Sequence, residues 1–264
     1  MAALTTQRSL FSVTFSVWRA LFLREALFRV AQDRIAWVWL IVEPISHVAL
    51  LMWVFTSFRH VVIAGADAGV FAMLSVTGFF FARNVMTRGM DAINQNTTLF
   101  TYRQVKPVDT VLVRAVLEGF IQMLVMLVIL AGAGLLGFPV VPADPLGAVV
   151  ALVVLWLLGL GFALIISVAG TLVPEIAHVT RLLINPIYFL SAVMYPSIIL
   201  PHAMRDVFLL NPLVHAIESL RIAFMPAYQV PQGIDLAYPA CFAVVLILLG
   251  LALHIRYQYD LIEQ

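Results

Sequence analysis

Apolar runs of bilayer-spanning length alternate along the chain with short polar stretches. A crossing helix needs roughly 20 mostly apolar residues. Segments 35–58, 69–90, 108–137, 146–173, 180–200 and 236–257 fit that pattern and predict six transmembrane helices. Two regions break it. The stretch "FSVTFSVWRALFLREALFRVAQDR" (11–34) is too charged to span and too apolar for a free tail. Glu25 with Arg29, and Arg29 with Asp33, stand at i,i+4 and can meet on a helix surface. Arg19, Arg24 and Arg29 step round a helix by about 140° each and form no single polar stripe. The expectation for residues 1–34 is a cytoplasmic interfacial amphipathic helix with snorkelling arginines. A basic flank that only sets topology is the plainer alternative.

The second break is 201–235, where prolines 201, 212, 226 and 231 leave pieces too short to cross. Asn211 can cap a helix with Pro212 at its first position. Leu213, Ile217, Leu220 and Phe224 then share one face, and His215, Glu218 and Arg221 fall largely on another. Short helices are expected here, lying on the outer surface or re-entering the membrane. Irregular backbone at membrane depth survives only against protein or a water-filled cavity. His215, Glu218 and Arg221 are therefore candidate periplasmic gate residues, an external loop with a surface helix being the plainer reading.

Composition sharpens the class. Of 264 residues 63% are hydrophobic and 11% charged, against about 45–50% and about 25% in soluble domains. The chain reads as an all-α polytopic membrane protein. A net charge of +1 gives no global field for nucleic acid. The one cysteine, Cys241, has no internal partner. The first 30 residues interleave arginines with apolar residues and have no uncharged signal-peptide core.

Basic residues set the expected orientation. With the N-terminus inside, 12 of the 15 fall on the cytoplasmic side, and only Arg59, Arg205 and Arg221 fall outside. Both termini and the stretch "TTLFTYRQVKPVDT" (97–110), which holds the sole lysine, Lys106, are expected in the cytoplasm. Charges within spans are suspected of function. Glu43 matches the depth of Arg83 and Arg88, so a Glu43–Arg83 or Glu43–Arg88 pair is expected, either joining helices or lining the pathway. Arg114, one turn before Glu118, can neutralise it, and Gln122 follows one turn later. "GAGLLG" (132–137) and "GLG" (159–161) offer small residues for close helix packing.

Enzyme signatures are missing. A phosphate-binding P-loop needs G-x-x-x-x-G-K-[ST], and the single lysine lies between Val105 and Pro107. There is no H-E-x-x-H or G-x-S-x-G, and no metal-ligand spacing among the six histidines. Ser46 and His47 are adjacent and point to different helix sides. No catalytic or metal residues are expected, and any ATP-driven work belongs to another chain.

Three stretches carry a family resemblance: "LFLREALFRVAQDRIAWVWLIVEP" (21–44), "LFTYRQVKPVDTVLVRAVLE" (99–118) and "NPLVHAIESLRIAFMPAY" (211–228), with "VPEIAHVTRLL" (173–183) agreeing more loosely. The chain resembles the membrane subunit of type-2 ABC exporters for capsular polysaccharide, the KpsM-type permeases, related to the O-antigen exporter permeases. Family members often place glycines where Ala31 and Ala36 stand here.

The resemblance implies two copies of this chain and two soluble ABC ATPase subunits, with ATP and Mg on the latter and no cofactor here. It further implies periplasmic and outer-membrane export components and a lipid-linked polysaccharide substrate. It implies a transmembrane domain at 35–264 with a coupling loop at 91–107, so Leu99, Phe100, Tyr102, Arg103 and Lys106 would meet the ATPase. Glu175 and His178, in a loop at 174–180, would make a second contact. Arg19, Arg24 and Arg29 would meet the substrate headgroup. Export of O-antigen, teichoic acid or a drug is the alternative within transport. An intramembrane enzyme or accessory protein is the alternative outside it and needs a convergent polar site.

Overall fold

The computed structural model describes residues 10–31, 34–58 and 64–263. Arg8, Asp33 and Arg59 lie outside the described residues. The described residues are mostly helical and contain no strand: α1 (Leu10–Ala31), α2 (Arg34–Phe58), α3 (Ala68–Met90), a 3-10 helix (Asn94–Thr101), α4 (Pro107–Leu135), α5 (Pro145–Leu172), α6 (Pro174–Leu190), a 3-10 turn (Ser197–Ile199), α7 (His202–Phe208), α8 (Pro212–Phe224) and α9 (Ala237–Arg256). Among these α3, α4, α5 and α9 are long and apolar enough to cross a bilayer. The joint of α7 and α8 is bent by 99°. In α2, Val42–Val54 is a shorter apolar piece, with Glu43 and Pro44 in its first turn. A helix thus stands in each of the six apolar segments.

The fifth segment differs from its expected bounds. Pro174 starts α6 directly after Val173, which ends α5, so 174–180 is helix and not a loop. The helix stops at Leu190, and Ala192 then takes a left-handed φ of 53°. The end expected at 200 is replaced by this turn. Asp67 and Asp144 cap the starts of α3 and α5 by accepting from backbone N–H groups, as short acceptors do at a helix start.

Buried almost all round, α3 is the core helix, and α5 packs between it and α9. A methyl group at Gly159 would stand 2.6 Å from the Ala82 carbonyl oxygen, and one at Gly161 would stand 2.7 Å from Leu246 Cβ. The "GLG" glycines are thus what let α3 and α9 approach α5. "GAGLLG" does something else. Gly132 faces open space, and Gly137, at φ 90°, forms the turn that ends α4. The outer faces of α4 and α9 expose Val116, Phe120, Leu124, Leu127, Val244, Val245 and Leu248. Surfaces of this kind need lipid or protein around them.

Nor does α8 lie on a surface. It runs antiparallel to α3, with Ile217 and Leu220 near Gly78, Arg221 on Ser75, and Tyr228 beyond it against Phe71. Its start, Asn211, donates to the Leu190 carbonyl and to Ser191 Oγ. The helix therefore begins beside the middle of the bundle and leaves at the end where α3 starts. Both of its faces are buried, including the one that carries His215, Glu218 and Arg221.

Candidate functional site

The polar machinery sits at the end of the bundle where α3 finishes and α4 begins. Lys106 precedes α4, and Pro107 supplies its first residue, where a missing N–H costs nothing. Asp109 Oδ2 accepts from the Lys106 backbone N–H at 3.0 Å. Its other oxygen accepts from the indole of Trp18 at 2.8 Å. One carboxylate thus caps α4 and holds α1 against it. Asp109 was missed in the sequence, although Pro at the first position and Asp at the third mark a helix start.

From Trp18 onward α1 follows α4 in the same direction. Glu25 pairs with Arg114, and Arg29 pairs with Glu118. Arg114 also donates to Gln95 Oε1 at 2.8 Å, and Gln122 donates to Glu118 Oε1 at 3.1 Å. From Trp18–Asp109 to Arg29–Glu118 the register spans about 13 Å of α4 at 1.5 Å per residue. The expected local pairs are corrected here. Glu25 does not meet Arg29, and Arg114 does not neutralise Glu118, because each finds an opposite charge across the helix pair. Glu118 is buried and Arg29 half-buried, so a cross-helix partner is what keeps that carboxylate tolerable inside.

Arg24 reaches the 3-10 helix and donates to Asn96 Oδ1 at 3.0 Å. Arg19 is exposed beside an apolar pocket of about 280 Å³ lined by Phe15, Trp18 and Phe22 of α1 and by Leu112, Val113 and Val116 of α4. The three α1 arginines therefore do three different things and do not converge.

Glu43 accepts from Arg83 at 2.8 Å, and Arg88 takes no part in that pair. The pair is not buried as expected, since the Glu43 side chain is 54% exposed. Arg83 also donates to Asn84 and lies 4.0 Å over the Phe80 ring. Two cavities adjoin in this region. One of about 460 Å³ lies between α1, α3, the 3-10 helix and α4, and one of about 290 Å³ lies between α2, α3 and α6. Arg88 and Glu118 line both.

Beside these cavities the 97–110 stretch folds as the end of the 3-10 helix and a turn. Phe100 is buried and Leu99 half-buried, which anchors the element. Tyr102, 66% exposed, and the exposed Arg103 and Lys106 project from it. Thr171 at the end of α5 donates to Asn94 Oδ1 at 2.9 Å, and Arg181 of α6 donates to Asp91 Oδ1 at 2.6 Å. The α5–α6 joint, with exposed Glu175 and His178 on the first turns of α6, is thereby tied to the 91–107 segment.

His215, Glu218 and Arg221 lie elsewhere, on α8, and face protein. Glu218 Oε1 accepts from Ser197 N at 3.1 Å, from Ser197 Oγ at 2.6 Å and from Arg221 at 3.0 Å. Arg221 donates to Ser75 Oγ at 2.6 Å and to the Ala192 carbonyl at 2.7 Å, with its guanidinium 4.1 Å over Phe71. His215 bridges the Leu209 carbonyl and the Asp235 N–H. The water-facing polar side expected of α8 is thus an internal bonding surface, because residues distant in sequence supply its partners. Among the described residues no cluster of three or more His, Cys, Asp or Glu can hold a metal ion.

Comparison with known proteins gives these elements a setting. The chain is 35% identical to the "Polysialic acid transport protein KpsM" of Escherichia coli over 94% of its own length and 95% of that protein. It is 29% identical to the "Capsule polysaccharide export inner-membrane protein CtrC" of Neisseria meningitidis serogroup A, over 90% and 89% of the two chains. With the "Capsule polysaccharide export inner-membrane protein BexB" of Haemophilus influenzae it shares 23% identity over 82% of each chain. The family model described as ABC-2 type transporter matches residues 16–225, which takes in most of α1, both cavities and α8. The chain belongs to the ABC-2 type transporter family of membrane proteins.

Proposed function

We propose that this chain is the membrane subunit of an ATP-driven exporter that carries lipid-anchored capsular polysaccharide across the bacterial inner membrane. The observation that carries the reading is its similarity, over nearly its whole length, to a polysialic acid transport protein and to a capsule polysaccharide export inner-membrane protein. The chain has no P-loop of its own, so ATP and Mg belong to a separate ATPase subunit. The functional unit pairs two copies of this chain with two copies of that ATPase. Periplasmic and outer-membrane components continue the path.

In this reading α2, α3, α4, α5, α6 and α9 are six spans, with both termini in the cytoplasm. The arginine-rich end, where α1 lies along α4, faces the cytoplasm. The α7–α8 pair is the outer gate, held in place by Glu218 and Arg221. The 91–107 element is the ATPase contact. It is a rigid base, tied to α5 and α6, that offers an aromatic ring and two cations. Exposed Tyr and Arg are the residue types enriched at interface hot spots, and Arg103 and Lys106 suit an acidic rim.

The test is a pull-down beside a surface-capsule assay. Tyr102→Ala with Arg103→Glu removes exposed groups only, so insertion and abundance are expected to stay normal, as surface changes cost within about 0.5 kcal/mol. Capture of the ATPase and capsule export are both expected to fall at least tenfold. Full capture with normal capsule would overturn the coupling assignment. A deletion strain that still displays capsule would overturn the export reading.

A further inference from the structure

The chain does not leave the bundle where α9 ends. Residues 257–263 fold into turns. The Leu261 N–H donates to the Tyr257 carbonyl at 3.0 Å, and those of Ile262 and Glu263 donate to the Tyr259 carbonyl at 3.0 and 3.1 Å. These turns aim one apolar side chain inward. Leu261 is 1% exposed and belongs to the apolar cluster that also holds Ile93 and Phe100 of the 91–107 element, Val111 of α4, and Leu164 and Val168 of α5. Val105, Val108 and Tyr257 pack against the same cluster. Two segments distant in sequence thus stand on one core, at the end of the bundle where α3 finishes.

Around Leu261 the other side chains point away from the core. Tyr259 is 71% exposed, and Asp260, Ile262 and Glu263 are exposed with it. Neither carboxylate has an ion pair among the described residues. An aromatic residue just beyond a span commonly lies in the headgroup belt. The charges beside Tyr259 favour another neighbour. In the orientation proposed above this segment is cytoplasmic, and the cytoplasmic leaflet is negative. After Arg256 the segment carries Asp260 and Glu263 and no cation. Anionic lipid would repel this face, and a protein surface bearing cations would attract it.

The exposed part of 91–107 has the reverse sign, with Tyr102 beside Arg103 and Lys106. One core therefore presents a tyrosine with two cations and, from the other segment, a tyrosine and an isoleucine with two carboxylates. A single partner that covers both needs an acidic patch and a basic one. Charges of both signs across an interface set register and suppress wrong partners, and exposed tyrosines are the residue type enriched at hot spots.

We propose that residues 257–263 are a second arm of the ATPase-contact face, pinned by Leu261, and that the ATPase surface opposite them is basic. The assignment rests on the coupling reading of 91–107 and extends it.

Binding of the purified ABC ATPase partner to the full-length chain in phosphatidylcholine nanodiscs, followed by biolayer interferometry, tests the arm. Tyr259→Ala with Ile262→Ser, and separately Asp260→Lys with Glu263→Lys, should each weaken binding at least tenfold. Both should melt like the parent, because only exposed groups change. High salt should narrow the gap between the charge-reversed variant and the parent, since exposed charges are screened. Leu261→Ala should weaken binding and lower the melting temperature, and Leu261→Met should keep both near those of the parent.

Parent-like binding by both surface variants overturns the arm and leaves Tyr259 as a headgroup anchor. Parent-like binding by Leu261→Ala overturns its part as the pin. If Tyr102→Ala with Arg103→Glu loses binding and the 257–263 variants do not, the coupling reading stands and the arm falls. If the 257–263 variants lose binding and that one does not, the arm stands and the assignment of 91–107 falls. No binding by the parent chain overturns both.

Discussion

Two groups of charges hold this molecule together near opposite ends of α3, and they are built on different plans. Near the start of α3, Glu218 and Arg221 sit one turn apart on a single helix, both fully buried, and are closed in by Ser75, Ser197, Ala192 and Phe71. Near its end, four ion pairs join different elements: α1 to α4 twice, α2 to α3, and α6 to the turn after α3. In the first group an intrahelical pair is locked by neutral groups on α3 and around the α6–α7 connection. In the second, several arginines and carboxylates share one cleft, with Arg88 left over, so partners can be exchanged when helices shift. A fixed anchor at one end and a rearrangeable seam at the other allow helices to shift at the end where α3 finishes while the opposite end holds.

The largest effect is expected from Arg221→Met. It leaves Glu218 charged and unneutralised in the interior, and removing one member of a buried pair costs about 3–5 kcal/mol. Folded yield in membranes should collapse, and the detergent-solubilised remainder should melt well below the parent. Adding Glu218→Gln removes the stranded charge and should recover most of the loss. If the double variant is no better than the single one, the pair is not the anchor and the contrast between the two ends fails.

The next effect is smaller. Arg29→Ala strands Glu118, but Gln122 still donates to that carboxylate, and Arg88 lines the same cavities and can replace the lost cation. A loss of about 1–3 kcal/mol is expected, as for a buried group deprived of one partner. The thermal melt of the solubilised chain checks it. Arg29→Ala combined with Arg88→Ala should cost more than the sum of the two single changes, because the replacement cation is gone. Strict additivity would mean that the seam does not exchange partners.

The contrast also explains what could be read from the chain alone. Helix positions were legible because apolar runs and prolines are local signals. Partners were not. Spacing offered Glu25–Arg29 and Arg114–Glu118, and the packing of α1 on α4 replaced both with crossed pairs. The face of α8 bearing Glu218 and Arg221 looked solvated because Ser75 and Ala192, which satisfy it, are far away in sequence. Glycines behaved likewise: Gly159 and Gly161 pack helices and Gly137 makes a turn, a difference decided by what lies opposite. The exposed 97–110 stretch was visible through its polarity, and the tie of the neighbouring turn to α6 through Arg181 and Asp91 was not.

The smallest effect is expected from Glu43→Gln, and it tests the seam from its exposed side. Glu43 and Arg83 stand at matching depth and form a 2.8 Å pair, so sequence depth alone would assign them the cost of a buried pair. The structure argues otherwise. Glu43 is 54% exposed into the smaller cavity, and losing it does not strand Arg83, which keeps its bond to Asn84 and its place over Phe80. Exposed pairs contribute about 0–1 kcal/mol, so yield and melting temperature should stay close to those of the parent. A loss as large as that of Arg221→Met would show that this cavity is dry in the assembled transporter, covered there by another chain, and that the two ends are alike after all. Normal yield and normal capture of the ATPase with lost export would give Glu43 a part in moving the substrate, because fold and coupling would both be intact.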